Sequence, residues 1–378
     1  LDKAELTGLL KNKAGELGFT LAGVTSPDPP NHLNVYKYWL KAGRNGEMRY
    51  LATERAITRR SDLRRLLPEC KSILILAIPY GNPINHGKAI TGQGRVAAYA
   101  WGADYHDVLK PRLRSLVNYL ESLVGQEVPN RWYTDTGPIL ERELAQRAGL
   151  GWIGKNTMLI NPQHGSYFLL AEILLGIELD YDAPVTTDHC GSCRRCIEAC
   201  PTNCILEDRT LDASRCISYL TIELKGPVPE DLRPQVGDWV FGCDICQIVC
   251  PWNKRFAPPQ GDPALMGESQ PVKLDEEIRF DKHTFNNKFK SSPVRRAKHS
   301  GFLRNVAIAL GNRRDPDSVG VLAYTLSTEG EPMLRGHAAW ALGQIGNEAA
   351  RTELKKAADK ETDSWVLEEI QSALNLSY

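Results

Sequence analysis

Hydrophobic positions recur with a helical period where the chain begins. Leu6, Leu9, Leu10 and Leu17 fall on one face, which predicts an amphipathic helix. Residues 20–25, Thr-Leu-Ala-Gly-Val-Thr, then read as a strand, residues 34–51 as helical, and the apolar run 72–78, Ser-Ile-Leu-Ile-Leu-Ala-Ile, as a buried strand. A long helix is predicted across Val108 to Val124, a strand edge over residues 131–135, and a further helix over 140–148. The apolar segments 157–160 and 167–175, joined by Asn161-Pro-Gln-His-Gly165, predict a hairpin. The fold class expected is α+β, with a first domain over residues 1–180.

The last part of the chain has another texture. Leu303-Arg-Asn-Val-Ala-Ile-Ala-Leu-Gly311 and Leu334-Arg-Gly-His-Ala-Ala-Trp-Ala-Leu-Gly343 are two copies of one helical phrase, starting 31 residues apart. Helices with a small-residue inner face and glycine ends stack as HEAT-type hairpins, so residues 302–378 are expected to be helical repeats docked on the rest. Before them lies a Pro/Gly-rich stretch, Ala257-Pro-Pro-Gln-Gly-Asp-Pro263, and then a basic run; residues 257–301 are expected to be a linker with a basic segment. Lys282, Lys288, Lys290, Arg295, Arg296, Lys298 and Arg304 fall between residues 282 and 304 with no acidic residue, interleaved with Phe285, Phe289 and Phe302. Such a run is either a solvated face or a phosphate contact.

Composition narrows the class. A chain of 378 residues with 42% hydrophobic residues holds two or three ordinary globular cores, and its formal net charge is zero, so any contact with nucleic acid needs a local patch. No apolar run approaches the ~18–20 residues of a membrane span. The opening residues read as a helix and not as an export signal, and thiolate-bound metal clusters belong in a reducing compartment, so a cytoplasmic protein is expected.

Nine of the ten cysteines lie between Cys190 and Cys250. The segment 181–256 opens on Cys190-Gly-Ser-Cys193-Arg-Arg-Cys196-Ile-Glu-Ala-Cys200-Pro201, the spacing of a bacterial ferredoxin. It closes on Cys243-Asp-Ile-Cys246-Gln-Ile-Val-Cys250-Pro251, the same phrase with one cysteine fewer. In such a motif three cysteines wrap one cubane, while the fourth, already entering a helix, ligates the other cluster. Two [4Fe–4S] clusters are therefore expected. Cys190, Cys193, Cys196 and Cys250 would hold the first, and Cys200, Cys216, Cys243 and Cys246 the second. Cys204 follows Cys200 by one helical turn and would have to double back, so Cys216 takes the vacancy and Cys204 is read as a small buried residue. Structural zinc and a disulfide framework fit the proline-terminated runs less well.

Two clusters alone mean only electron transfer, and a long domain before them suggests a second redox group there. No Gly-x-Gly-x-x-Gly follows a strand and no Walker loop is present. Asp104-Tyr-His106-Asp-Val-Leu109 comes near a cobalamin signature, Asp-x-His-x-x-Gly, but lacks its glycine and is read as a chance match. Asp135, in Tyr133-Thr-Asp-Thr-Gly137-Pro138, stands at a strand end before a helix, where it is either a reacting carboxyl or an N-cap. Gly149-Leu-Gly-Trp-Ile-Gly154-Lys155-Asn156 is a turn that either cradles phosphate or propionamide groups or is simply tight.

Tyr99-Ala-Trp-Gly-Ala-Asp104-Tyr-His106, Thr134-Asp-Thr-Gly137, the turn ending in Lys155-Asn156, the double cysteine motif with Gly242-Cys-Asp-Ile-Cys-Gln247 and the helical tail together resemble the epoxyqueuosine reductase family, related to reductive dehalogenases, over nearly the whole chain. The resemblance implies a cobalamin-binding first domain of nitroreductase-like fold. It also implies reduction of the epoxide of epoxyqueuosine at the wobble position of transfer RNA, the last step to queuosine. Electrons would pass through the two clusters to cobalamin, and Asp135 would give the departing oxygen its proton, a role that requires a protonated carboxyl near neutral pH. By position in the family motifs, Arg60, Ala97, Tyr99, Asp135, Lys155, Asn156, Met158, Leu159, Leu170 and Ser218 would contact cobalamin. Lys225, Arg295, Arg296 and Lys298 would contact the anticodon stem-loop, whose target base must be splayed out. A monomer supplied by an unidentified electron donor is expected. The alternatives are a cytoplasmic reductive dehalogenase-like enzyme acting on a small molecule and an electron-transfer scaffold.

Overall fold

The computed structural model describes residues 1–81, 93–267 and 272–376, and within them the chain divides into two compact units. The first comprises residues 1–81, 98–214 and 244–267; the second comprises 93–97, 215–243 and 272–376. The described strands are β1 (Leu21–Thr25), β2 (Ser72–Pro79), β3 (Gln93–Val96), β4 (Asn130–Tyr133), β5 (Trp152–Ile153), β6 (Leu159–Ile160), β7 (Phe168–Leu175), β8 (Trp239–Phe241) and β9 (Val272–Lys273).

In the first unit an antiparallel sheet runs in the order β1-β2-β7-β4. Strand β2 is bonded on both sides, Leu21 lying opposite Ala77 and Ser72 opposite Leu175. Such a strand buries both faces, which is why its sequence is apolar without alternation. Leu74, Leu76 and Ile78, with Ala171, Ile173 and Leu175, face one core covered by the helices Lys3–Glu16 and Tyr105–Val124. Ile73, Ile75 and Ala77, with Leu170 and Leu174, face a second core covered by the helix Glu141–Arg147. Each fully buried aliphatic side chain in these layers contributes about 1.5–3 kcal/mol.

Three local expectations are corrected. The segments 157–160 and 167–175 do not pair: β6 pairs β5, while β7 is claimed by β2 and β4. Residues 34–51 are not one helix. A helix spans Leu33–Lys41 and a 3-10 turn spans Arg49–Leu51, because the chain breaks at Gly43 in a left-handed conformation, φ 68°. The long helix starts at Tyr105, earlier than expected, because the Asp104 side chain accepts from the His106 amide at 3.0 Å. The same carboxylate oxygen lies 2.8 Å from His106 Nδ1, so the partial cobalamin signature forms a capping turn.

The stretch expected as a linker is packed where it is described, residues 268–271 lying outside the described residues. Asp262 forms a two-pronged ion pair with Arg112 at 2.5 and 3.0 Å, and Leu265 is fully buried in the first unit's core. Among the described residues no helix is long and apolar enough to cross a membrane.

The second unit holds a small sheet, β8-β3-β9, and the helical tail. The helix Lys298–Arg313 packs on Pro332–Ile345, which packs on Ser364–Asn375, while Val319–Thr328 and Glu348–Ala358 pair alongside. Close approach requires the small residues of the repeated phrase: a Cβ on Gly311 would lie 2.6 Å from the Trp340 ring. The expected basic residue Arg304 is fully buried and donates to the carbonyls of Leu220, Leu224 and Gly226, so it offers no charge to a ligand. Phe285, Phe289 and Phe302 are likewise core, packed ring on ring. Arg233 and Glu369, both nearly fully buried, form a bidentate pair at 2.6 Å. Removing one partner strands the other charge, so Glu369→Ala is expected to cost about 3–5 kcal/mol, read from the denaturation midpoint of the repeat unit.

Candidate active site

The β5–β6 hairpin projects Lys155 and Asn156 at its tip. Lys155 Nζ donates to the carbonyls of Gly191 and Cys193, at 2.6 and 2.9 Å. Asn156 Nδ2 reaches the Cys246 carbonyl at 3.5 Å. The glycine-rich turn therefore fastens the two cysteine motifs, and the lysine expected at cobalamin is committed to the cysteine loop.

Beneath this clamp lies a cavity of about 290 Å³, lined by Cys190, Cys193, Cys196 and Cys250 together with Lys155, Arg195, Arg255 and Trp252. These are the four cysteines that the spacing assigns to the first cluster. Among the described residues no three acidic, histidine or cysteine side chains are gathered tightly enough for a single ion. A chamber edged by four sulfurs and three cations suits a polynuclear, negatively charged cluster. Burial pushes the Cys196 and Cys250 thiols upward, so thiolate formation there is coupled to metal binding.

A satisfied polar network holds the second motif in the first unit. The Ser166 amide donates to Asn253 Oδ1 at 2.6 Å, the Ser166 hydroxyl to Gln247 Oε1 at 2.8 Å, and Asn253 Nδ2 to the Gln247 carbonyl at 2.9 Å. Asp244 accepts from the Ala98 amide at 2.7 Å. Buried networks of this kind fix one geometry. Of the cysteines expected at the second cluster, Cys200 and Cys246 fall in the first unit, and Cys216 and Cys243 in the second. Cys204 is buried with its sulfur 3.4 Å from that of Cys200, so the chain does double back. The Cys204 thiol holds Cys200 down to about 5. Two ligands of one cubane bind different irons and stand apart, so sulfurs in contact suit a ligand and its neighbour.

Asp135 closes β4 in a left-handed conformation, φ 59°, which aspartate tolerates better than most residues and which concentrates at functional sites. It does not cap the following helix, which starts at Glu141 after Leu140. Its exposed carboxylate accepts from the Tyr105 hydroxyl at 2.8 Å. Tyr105 is buried and stacked on His106, and burial with the Asp135 charge pushes its phenol far up. It is a hydrogen-bond donor that holds its proton. Tyr105 was not singled out by sequence reasoning, although it stands beside His106 in the quoted motif.

The Asp135 turn is held from both sides: Thr134 Oγ1 donates to the Leu170 carbonyl at 2.9 Å, and the buried Arg60 guanidinium reaches the Gly137 carbonyl at 3.5 Å. Phe168, Leu169 and Leu170, the first residues of β7, are only half-buried, unlike the rest of that strand. This apolar strand end beside an acid fits a large flat ligand. Among the other residues expected at cobalamin, Leu159 is buried in β6, the Met158 amide donates to Asn156 Oδ1 at 3.2 Å, and the Tyr99 ring packs edge-on against Tyr80 and Tyr105. Ala97 and Ser218 belong to the second unit.

In that unit Lys225 is half-buried and feels the charges of Arg296, Lys298 and Arg304; desolvation first, then these cations, lower its pKa. Three of the four residues expected to contact RNA thus share one locality, although Arg296 also pairs with Glu223 at 2.8 Å. Lys298 takes a left-handed φ of 63°.

Family models match in three places: "Epoxyqueuosine reductase QueG, DUF1730" over residues 60–136, a 4Fe-4S double cluster binding domain over 189–253, and HEAT repeats over 295–375. The epoxyqueuosine reductase of Pseudomonas aeruginosa is 38% identical over 356 residues, covering 91% of this chain and 96% of that one. That of Escherichia coli K12 is 38% identical over 350 residues, covering 91% and 90%. A crystal structure of epoxyqueuosine reductase with an epoxyqueuosine-modified tRNA-Tyr stem loop superposes with TM-score 0.90 at 31% identity over 98% of both chains. The Bacillus subtilis enzyme, whose structure is described as having its catalytic aspartate loop swung out of the active site, superposes at 0.88 with the same identity and coverage. Similarity of this extent, across both units and the cysteine segment alike, places the chain in the epoxyqueuosine reductase family.

Proposed function

We propose that this chain reduces the epoxide of epoxyqueuosine in transfer RNA, with Asp135 as the acid. The observation that carries the reading is the Asp135 turn: a carboxylate in a strained conformation, bonded to a buried tyrosine, at the open apolar end of β7. Opening an epoxide leaves an alkoxide, and a positioned acid that protonates it lowers the barrier. Tyr105 fixes the carboxyl's orientation without competing for the proton.

Cobalamin is the second redox group proposed, and it supplies a strongly reducing nucleophile when bound. Arg60, Tyr99, Met158, Leu159 and Leu170 are the residues of the first unit proposed to hold it, largely by apolar contact and backbone groups. Cys190, Cys193, Cys196 and Cys250 are proposed to hold the first cluster, and Lys155 to brace its loop. The fold of the first unit is read as nitroreductase-like.

The Lys225, Arg296 and Lys298 locality, with exposed Arg295 beside it, is proposed to meet the phosphates of the stem-loop. Neutralising Arg295, Arg296 and Lys298 together is expected to weaken RNA binding and to flatten the slope of log affinity against log salt by about two to three units. An unchanged slope moves the RNA site elsewhere.

The test of the reaction is anaerobic reconstitution with iron, sulfide and cobalamin, then a single turnover on epoxyqueuosine-containing transfer RNA read by nucleoside mass spectrometry. Loss of one oxygen that depends on cobalamin is the expected result. Corrinoid binding without turnover would leave a small-molecule reductase.

A further inference from the structure

Strand β5 carries a buried donor that the protein itself leaves without a partner. Trp152 is 1% exposed, and its indole Nε1 finds no acceptor among the described residues. Bulk water does not reach so enclosed a group. A buried N–H that bonds to nothing costs its full desolvation, so native chains seldom keep one without a use.

The surroundings of Trp152 indicate that use. It stands opposite Ile160 in the β5–β6 pair and packs in one small core with Ile160, Cys250, Cys190 and Trp252. Its ring meets those of His189 and Trp252 edge to face, at centroid separations of 4.8 and 4.9 Å. Ile160, Cys190, Cys250, Trp252 and His189 all line the chamber of the four cysteines. The indole therefore backs the chamber wall, with two of the cysteines among its packing neighbours. Close approach is built into the hairpin: a Cβ on Gly151 would lie 2.2 Å from the Ile160 carbonyl oxygen, so glycine is needed for the two short strands to meet beside Trp152.

We propose that Trp152 donates its indole N–H to a sulfur of the cluster held in this chamber and thereby raises that cluster's reduction potential. The inference rests on the reading of Cys190, Cys193, Cys196 and Cys250 as the ligands. Uptake of one electron makes the cluster one charge more negative, and a donor to its sulfur is stronger against the more negative form. The bond therefore favours the reduced state, in the same direction as the cations Lys155, Arg195 and Arg255 that line the chamber. The glycine-rich turn then has two duties. Lys155 holds the cysteine loop by its backbone carbonyls, and Trp152 sets how readily the metal centre accepts an electron.

The test uses the full chain reconstituted with iron and sulfide, reduced stepwise with dithionite and followed by electron paramagnetic resonance. Trp152→Phe keeps an aromatic ring and loses the N–H. In that variant one cluster reduction is expected to become about tenfold less favourable, a lowering of ~59 mV for one electron, while the iron count and the other reduction stay in place. A second readout needs no variant. With tryptophan isotopically labelled at the indole nitrogen, the reduced wild-type protein is expected to show a hyperfine coupling to that nitrogen. The coupling should vanish in Trp152→Phe and persist in Trp252→Phe, which removes similar bulk from the chamber wall. Reductions that both stay in place in Trp152→Phe overturn the proposal, as does a coupling absent from the wild type or retained in Trp152→Phe. Should Trp152→Phe lose iron, the labelled spectra of the wild type and Trp252→Phe decide alone. Failure of the ligand reading shows separately, as about eight irons retained in Cys193→Ser.

Discussion

Asp135→Asn is expected to lower single-turnover reduction by about 10²–10⁴-fold while leaving iron content and cobalamin binding intact. The substitution is close to isosteric. Asparagine tolerates the left-handed conformation that residue 135 adopts, and its carbonyl still accepts from the Tyr105 hydroxyl. What is removed is the proton, so a large rate loss without loss of stability isolates the acid role. Near-normal rates in this variant would remove Asp135 from the chemistry.

Cys216→Ser is expected to halve the iron, from about eight to about four per chain, with loss of electron delivery. Cys204→Ser is expected to keep both clusters, because the sulfur in contact with Cys200 acts as its neighbour. A hydrogen bond to a ligating sulfur is one of the levers on cluster potential, so the Cys204 variant should shift a reduction potential without changing the iron count. Iron counts that reversed this pattern would exchange the two cysteines.

What was legible before the structure followed the range of the interactions. The cysteine spacing is a local code: Cys190, Cys193 and Cys196 wrap a chamber because of where they stand in one loop, and the cavity they share with Cys250 follows the crossover rule. The strands around Ile75 and Ile173 were readable because a run buried on both faces carries no polar alternation. Their pairing was not, since β7 chose β2 and β4, distant in sequence, over the adjacent 157–160. Charge was misread where burial decided its meaning. Arg304 looked like one more cation of a basic run and is a buried brace for backbone carbonyls. Glu172 carried a signal that went unused: a single carboxylate inside an eight-residue apolar strand.

The brace made by Arg304 has a consequence for the order of synthesis. Arg304 and Asn305 bind the carbonyls of Leu220, Thr221, Leu224, Gly226 and Val240, the backbone that runs between Cys216 and Cys243. Leu220 and Arg304 are 84 residues apart. On the ribosome, the last cysteine therefore emerges well before the backbone between Cys216 and Cys243 acquires its partners. A chain stalled ahead of residue 304 carries every thiol and lacks this support, and the repeats, last to be made, license the segment written before them.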